Sequence, residues 1–131
     1  MQRVTGLGGV FFKADDPKKM YQWYEQHLGI KGGPEGGMFQ WREMDDPERE
    51  GITAWAIFER QSTYFDPSDG APRGQQAAML NYRVENLDAL LDALRAEGVT
   101  IDPKRDDSPY GRFAWIFDPE GNKIELWEPP K

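Results

Sequence analysis

His27 is the single histidine in this chain, and there is no cysteine. Those two facts bound the chemistry. A two-His-one-carboxylate iron site and a two-His zinc site are both impossible within one chain. No thiolate nucleophile, thiolate zinc site or disulfide can form either, as expected in a reducing compartment. A hydrolytic triad needs a histidine with an orienting partner. His27 falls beside Trp23 and Tyr24 with no such partner, so packing is its expected role. What remains is carboxylates, cationic side chains, tyrosine hydroxyls and aromatic surface. Aromatic residues make up 13% of the chain, with five Trp, enough for a core or for a pocket that takes a flat organic molecule. The net charge of −7 repels phosphate backbones and argues against nucleic-acid binding. It suits solubility and would favour cationic ligands. The first twelve residues are too polar and glycine-interrupted for a secretory signal. No apolar run reaches the roughly 20 residues of a membrane helix. No membrane partner and a cytoplasmic location are the expectations.

Two helices are readable as the elements that must position these groups. The first opens at Asp15-Asp16-Pro17, where aspartate caps and proline suits the first turn. Its apolar stripe is Met20, Trp23, Tyr24 and Leu28, and Gly29 supplies the stop. The second opens at Asn86, carries Leu87, Leu90, Leu91 and Leu94, and ends at Gly98. A strand-like run precedes each helix, at residues 9–14 and 79–84. A short apolar step follows each, at Gly29-Ile30 and Gly98-Val99. Each half then has an antiparallel pair, residues 38–43 with 52–58 and residues 112–117 with 123–127. The second pair turns through 118–122, where Gly121 and Asn122 tolerate positive φ.

The halves repeat at about 70 residues, Gly29 answering Gly98 and Phe39-x-Trp41 answering Phe113-x-Trp115. Two copies at that spacing indicate internal duplication and not a solenoid. The chain reads as one domain spanning 1–131, with a first module at about 1–66 and a second at about 77–131. Two Pro, two Gly and several polar residues across 64–76 mark the connection, with the linker proper at about 67–76. The acidic loop 43–51 reads as a solvated excursion.

The order of motifs resembles a known superfamily. Gly8-Gly9-Val10-Phe11-Phe12-Lys13-Ala14-Asp15-Asp16-Pro17, then Trp23-Tyr24 and His27-Leu28-Gly29-Ile30, is similar to the opening module of vicinal-oxygen-chelate proteins, the glyoxalase/bleomycin-resistance/dioxygenase superfamily. The run from Tyr110 through Phe113, Trp115, Asp118-Pro119-Glu120-Gly121-Asn122, Glu125 and Trp127 to Glu128 resembles their closing hairpin. The resemblance spans nearly the whole chain and is closest to glyoxalase-like members. It implies an α+β fold in which paired βαβββ modules form an open, curled mixed β-sheet barrel with helices outside. It also implies that homodimers are common. The polar face of each strand would line a cavity and not meet water.

In glyoxalase-like members a His on the first strand of each module and a Glu on the last strand of each hold a divalent metal. The resemblance puts Gly9 and Met79 at the His positions and Glu125 at the second Glu position. The first Glu position falls somewhere in residues 55–59, Glu59 included. Glu125 is then the one assigned ligand match. A divalent metal, Mg²⁺ or Mn²⁺ by oxygen ligation, would need more carboxylates than can be placed, so a metal is not the favoured expectation. Strand alternation carries the cavity assignment to Phe11 and Lys13, to Asn81 and Arg83, and to Lys123 and Trp127. The basic residue four positions after the first ligand holds a substrate carboxylate in glyoxalases, and Lys13 and Arg83 take that spacing. The candidate site is therefore Glu125 as general base, with Lys13, Arg83, Asn81, Phe11, Trp115, Trp127 and the loop residue Tyr110 around a small-molecule ligand. The bland alternative is an ion pair of Glu125 with Lys13, Arg83 or Lys123 closing a filled barrel. Phe113, Trp115, Trp41 and Trp55 are each expected in the core ahead of serving as a ligand platform. Three functions compete: a lyase- or isomerase-type enzyme acting on a small oxygenated molecule without the usual His-ligated metal, a metal-free binder of the bleomycin-resistance type, and a structural or regulatory domain with a filled barrel.

Overall fold

A computed structural model describes residues 3–70 and 76–131. In chain order the elements are β1 (Val4–Ala14), α1 (Pro17–Leu28), β2 (Gly37–Arg42), β3 (Glu50–Glu59), β4 (Ala78–Val84), α2 (Leu87–Ala96), β5 (Thr100–Ser108), β6 (Gly111–Phe117) and β7 (Lys123–Glu128). They form one mixed sheet in the order β2-β3-β1-β4-β7-β6-β5. β2 and β5 are its two edges, so the barrel is open, as the resemblance implies.

The two halves meet where β1 runs antiparallel to β4. Gly9 pairs with Asn81 and Phe11 with Met79, so a pseudo-twofold axis relates Gly9 to Met79 and Phe11 to Asn81. Both helices cover one face. α2 does so with Leu87, Leu90 and Leu91, packed with Val84, Ala114 and Leu126. Full burial of each leucine stabilises by about 1.5–3 kcal/mol. The leucine spacing read from the sequence is the spacing observed.

α1 differs from expectation. Its buried residue is Tyr21, with Met20 and Tyr24 packed partly behind it on Trp55 and Ile57. Trp23 and Leu28 are about half exposed, at 49% and 58%. The stripe is rotated by one position, because Tyr21 hydrogen-bonds the Ile57 N–H at 2.8 Å and holds that face inward. His27 is exposed and lies against the outward Trp23, ring centroids 5.0 Å apart, and not in the core. Both helices stop as expected, with Gly29 and Gly98 at φ 69° and 79°.

The halves are not identical. The second has four strands, the first three. Residues 30–36 form only an isolated bridge between Gly33 and Gly36, so the first module lacks one strand of the expected βαβββ pattern. The aromatic repeat is also displaced. Trp115 faces Glu125 across β6–β7, whereas Trp41 faces Gly51 across β2–β3. The partner of Phe11 on β3 is Ala56 and that of Asn81 on β7 is Glu125. Ala56 is therefore the counterpart of Glu125, which resolves the position left open within 55–59.

The connection between the halves does more than span them. Tyr64 and Phe65 fold over the face of the sheet opposite the helices, here called the inner face, and Phe65 is buried among Met79, Trp115, Phe11 and Phe58. Residues 71–75 of the expected linker lie outside the described residues.

Candidate functional site

Strand alternation puts Lys123, Glu125 and Trp127 on the inner face of β7, and Met79, Asn81 and Arg83 on that of β4. Glu125 is only 2% exposed, and three donors meet its carboxylate. Asn81 Nδ2 donates to Oε1 at 2.6 Å. Trp115 Nε1 and the Tyr64 hydroxyl donate to Oε2 at 3.0 and 2.5 Å. A buried carboxylate is tolerable only with such charge-assisted bonds. Burial first, then the negative charge of Glu125, pushes the Tyr64 phenol well above its usual range, so it stays a proton donor. Asn81 Oδ1 has no hydrogen-bond partner among the described residues. It faces Gly8, where a Cβ would stand 2.2 Å from it, so a bare glycine is required for this side chain to aim Nδ2 at Glu125.

The expected basic residues are committed elsewhere. Arg83 is buried. Its Nε donates to Thr5 Oγ1 at 2.7 Å and its Nη1 to the Glu50 carbonyl at 3.1 Å. Its Nη2 pairs with Glu43 at 3.1 Å, and the guanidinium lies 4.8 Å from the Trp41 ring. It is neutralised within the protein and not poised to grip a ligand carboxylate. Glu43 is in consequence mostly buried, a correction to the picture of 43–51 as a wholly solvated loop. Lys123 is 5% exposed, and its Nζ donates to the Tyr64 and Asp66 carbonyls at 3.1 and 2.7 Å. Burial lowers its pKa. Lys13 is half-buried, Nζ 5.0 Å over the Phe65 ring. The simple Glu125 ion pair weighed from the sequence is absent among the described ion pairs. Hydrogen-bond donors take its place.

Two cavities flank the carboxylate along β7. One, of about 700 Å³, is lined by Trp41, Arg83, Tyr110, Trp127, Pro129 and Pro130 among others. Trp127 Nε1 donates to the Tyr110 carbonyl at 2.9 Å, and the Tyr110 ring is 78% exposed at the mouth. Trp41 can take its place because Gly6 and Gly51 are bare: a Cβ there would come within 2.3 and 2.5 Å of the indole. The other cavity, of about 600 Å³, is lined by Phe58, Tyr64, Ser68, Lys104, Trp115 and Lys123 among others. Tyr64 and Trp115 stand between it and Glu125.

The structure thus divides the predicted set. Glu125, Asn81 and Trp115 form a sealed cage. Arg83, Trp127 and Tyr110 line an open cavity. Phe11 packs in the aromatic cluster over the cage and, like Asn81, lines neither cavity, whereas Trp115 presents one side to the second. Trp55 is core as expected, whereas Trp41 is a cavity wall. Tyr64, Phe58 and Glu43 were missed. An aromatic pair, Tyr64-Phe65, inside a Pro/Gly-rich connection was the available signal for the first of these.

The metal-ligand positions implied by the resemblance carry Gly9, Ala56, Met79 and Glu125. Gly9 and Ala56 have no donor atom. Met79 offers a soft thioether, 1% exposed and packed on aromatic rings. Glu59 alternates to the helix-covered face with Ile57 and cannot substitute. Among the described residues no three His, Cys, Asp or Glu side chains converge. The donor set does not fit a divalent metal.

The sequence profile of the Glyoxalase/Bleomycin resistance protein/Dioxygenase superfamily matches residues 6–126, and the chain belongs to that superfamily. Comparison with curated proteins found no match. Among solved structures, methylmalonyl-CoA epimerase from Mycobacterium tuberculosis is similar over 100% of this chain and 92% of its own, with TM-score 0.65 and 20% identity. A variant of the Streptomyces coelicolor methylmalonyl-CoA epimerase, in complex with 2-nitronate-propionyl-CoA, is similar over 98% of this chain and 99% of its own, with TM-score 0.68 and 13% identity. A protein described as an NAD-dependent benzaldehyde dehydrogenase from Legionella pneumophila is similar over 93% and 98%, with TM-score 0.58 and 14% identity. At these identities the likeness is one of fold. No helix is long and apolar enough to cross a membrane among the described residues.

Proposed function

We propose that this chain is a small-molecule enzyme of the lyase or isomerase type, with Glu125 as the group that moves a proton beside a carbonyl. The observation that carries the reading is the Glu125 cage: an inward carboxylate held by three donors on the inner face, between two cavities. Asn81 and Trp115 fix its orientation. One epimerase that shares this fold is in complex with methylmalonyl-CoA, so small carbonyl compounds with an exchangeable α-proton, thioesters and uncharged cyclic ketones and amides among them, are the first substrates to test. A homodimer in the cytoplasm is the expected working form, and size-exclusion chromatography with light scattering checks the assembly.

The test is exchange of the substrate α-proton in D₂O, followed by NMR over that panel. Wild-type protein should catalyse exchange on at least one member. Glu125→Gln should lose it by about 10²-fold or more with its circular dichroism unchanged. Equal exchange by Glu125→Gln would remove the base role. A second reading, a metal-free binder, is favoured by the open cavity, where the one buried cation is neutralised and Trp41, Tyr110 and Trp127 supply aromatic walls. Stoichiometric protection by a flat ligand, with no exchange on any substrate, would select it.

A further inference from the structure

Glu125 is closed off by two rings, and they differ in how they are held. Trp115 belongs to β6 and is fixed in ladder register opposite Glu125. Tyr64 lies in an irregular segment outside every strand and helix. Its ring stacks on Phe58, centroids 5.4 Å apart and planes at 23°. It meets Trp115 edge-on at 6.2 Å, and it delivers its hydroxyl to the carboxylate. The backbone around it is fastened at three points: Lys123 Nζ to the Tyr64 and Asp66 carbonyls, and Ser68 to the Asp102 carboxylate through both its N–H and its hydroxyl. Of the three groups that cover Glu125, Tyr64 is the one carried by a segment outside the strands, so it is the one whose displacement leaves the sheet backbone untouched.

We infer that Tyr64 is an intramolecular stand-in for the ligand: an internal plug that competes with it for Glu125 and reveals its chemistry. What replaces the plug must restore what leaves. It must be planar, to stack on Phe58 against the edge of Trp115. It must bring one O–H or N–H to Oε2, because an unreplaced bond to a buried charge is costly. It must not be anionic at that end, because a second negative charge beside Glu125 is repelled. The class is a planar ring with a hydrogen-bond donor and no negative charge, such as a phenol, a hydroxypyridine or a cyclic amide. The inference rests on the reading of Glu125 as the ligand-facing group.

The experiment is a sign test. The probes are p-cresol and its methyl ether, 4-methylanisole, titrated into wild type, Tyr64→Phe and Lys123→Met. The readout is the indole N–H resonance of Trp115, which bonds Glu125 directly. Tyr64→Phe keeps the ring and removes the competing donor, so p-cresol should bind tighter than to wild type by about ten- to hundredfold. The ether should gain nothing. Lys123→Met loosens the plug from its backbone and should change p-cresol affinity in the same direction. It keeps the inference testable if the first variant folds poorly. Equal or weaker p-cresol binding by the variants, an ether that matches the phenol, or no shift of the Trp115 resonance in any protein would each overturn the inference. The two proposals fail separately. Proton exchange that survives Glu125→Gln sinks the base role while the sign of the Tyr64→Phe effect still decides the plug. Exchange lost in Glu125→Gln with no tightening in Tyr64→Phe sinks the plug alone.

Discussion

Where β1 meets β3, the inner face carries Phe11 beside Ala56. At the pseudo-equivalent point, where β4 meets β7, it carries Asn81 beside Glu125. The backbone relation is the same, and the chemistry is not. In the first half Phe11 packs with Phe58 at 5.7 Å and the surface is apolar. In the second, a carboxylate sits with amide, indole and phenol donors around it. Duplication supplies two equal frames, but a buried charge needs every donor in place. One half has kept a polar centre and the other has become the aromatic wall against which the plug rests. The two should then respond differently to damage: the polar half loses charge-assisted bonds, whereas the apolar half loses only contact.

The largest effect is expected from Trp115→Ala. It empties a fully buried indole site and removes a donor from Glu125, so urea denaturation should register a loss of about 3–5 kcal/mol. Asn81→Leu keeps most of the volume but strips Oε1 of its donor, and should cost about 1.5–3 kcal/mol in the same assay. Gly6→Ala forces a Cβ into the Trp41 ring and should cost about 1–3 kcal/mol, with Trp41 fluorescence shifted as the ring moves. Gly33→Ala, with open space at its Cβ, should be close to neutral. Phe11→Leu in the apolar half should cost less than about 1.5 kcal/mol. A Phe11→Leu penalty matching that of Asn81→Leu would erase the distinction between the halves.

A smaller, local effect is expected on the fastening of the plug. Burial pushes the Asp102 carboxyl up, but the bonds from Ser68 and from the Lys104 N–H outweigh it and leave it below its ordinary value of 3.8. A carboxyl depressed in the folded state stabilises above its unfolded pKa, and that stabilisation is lost as pH falls through the lower folded one. Acid should therefore loosen the segment around Ser68 before the sheet. Asp102→Asn should flatten that part of the pH–stability curve. Hydrogen exchange of the Ser68 amide, measured from neutral pH downward, checks both statements.

Much of the frame was legible. Leucines at helical spacing gave α2, two glycines marked both helix ends, and the hairpin residues around Asp118 placed Glu125 on a closing strand. The stripe of α1 reads one position off because Trp23 and Tyr21 are equally apolar by type. Only the hydrogen bond from Tyr21 to β3 turns one of them inward. The connection between halves reads as a spacer because proline, glycine and polar residues dominate it, and composition carries no information about where a ring a few residues beyond a strand end will land.

Both helices, the strand ahead of each, the antiparallel pair in each half and the absence of a histidine ligand set follow from the chain alone, because they depend on local periodicity and residue type, and the order of motifs carries the resemblance to the superfamily. Tertiary structure alone decided the partners of each charge. Arg83 and Glu43 are 40 residues apart in sequence, and Tyr64 and Glu125 are 61 apart. Side-chain spacing along a strand gives a facing direction, but which group is within 3 Å depends on how distant segments fold across the sheet.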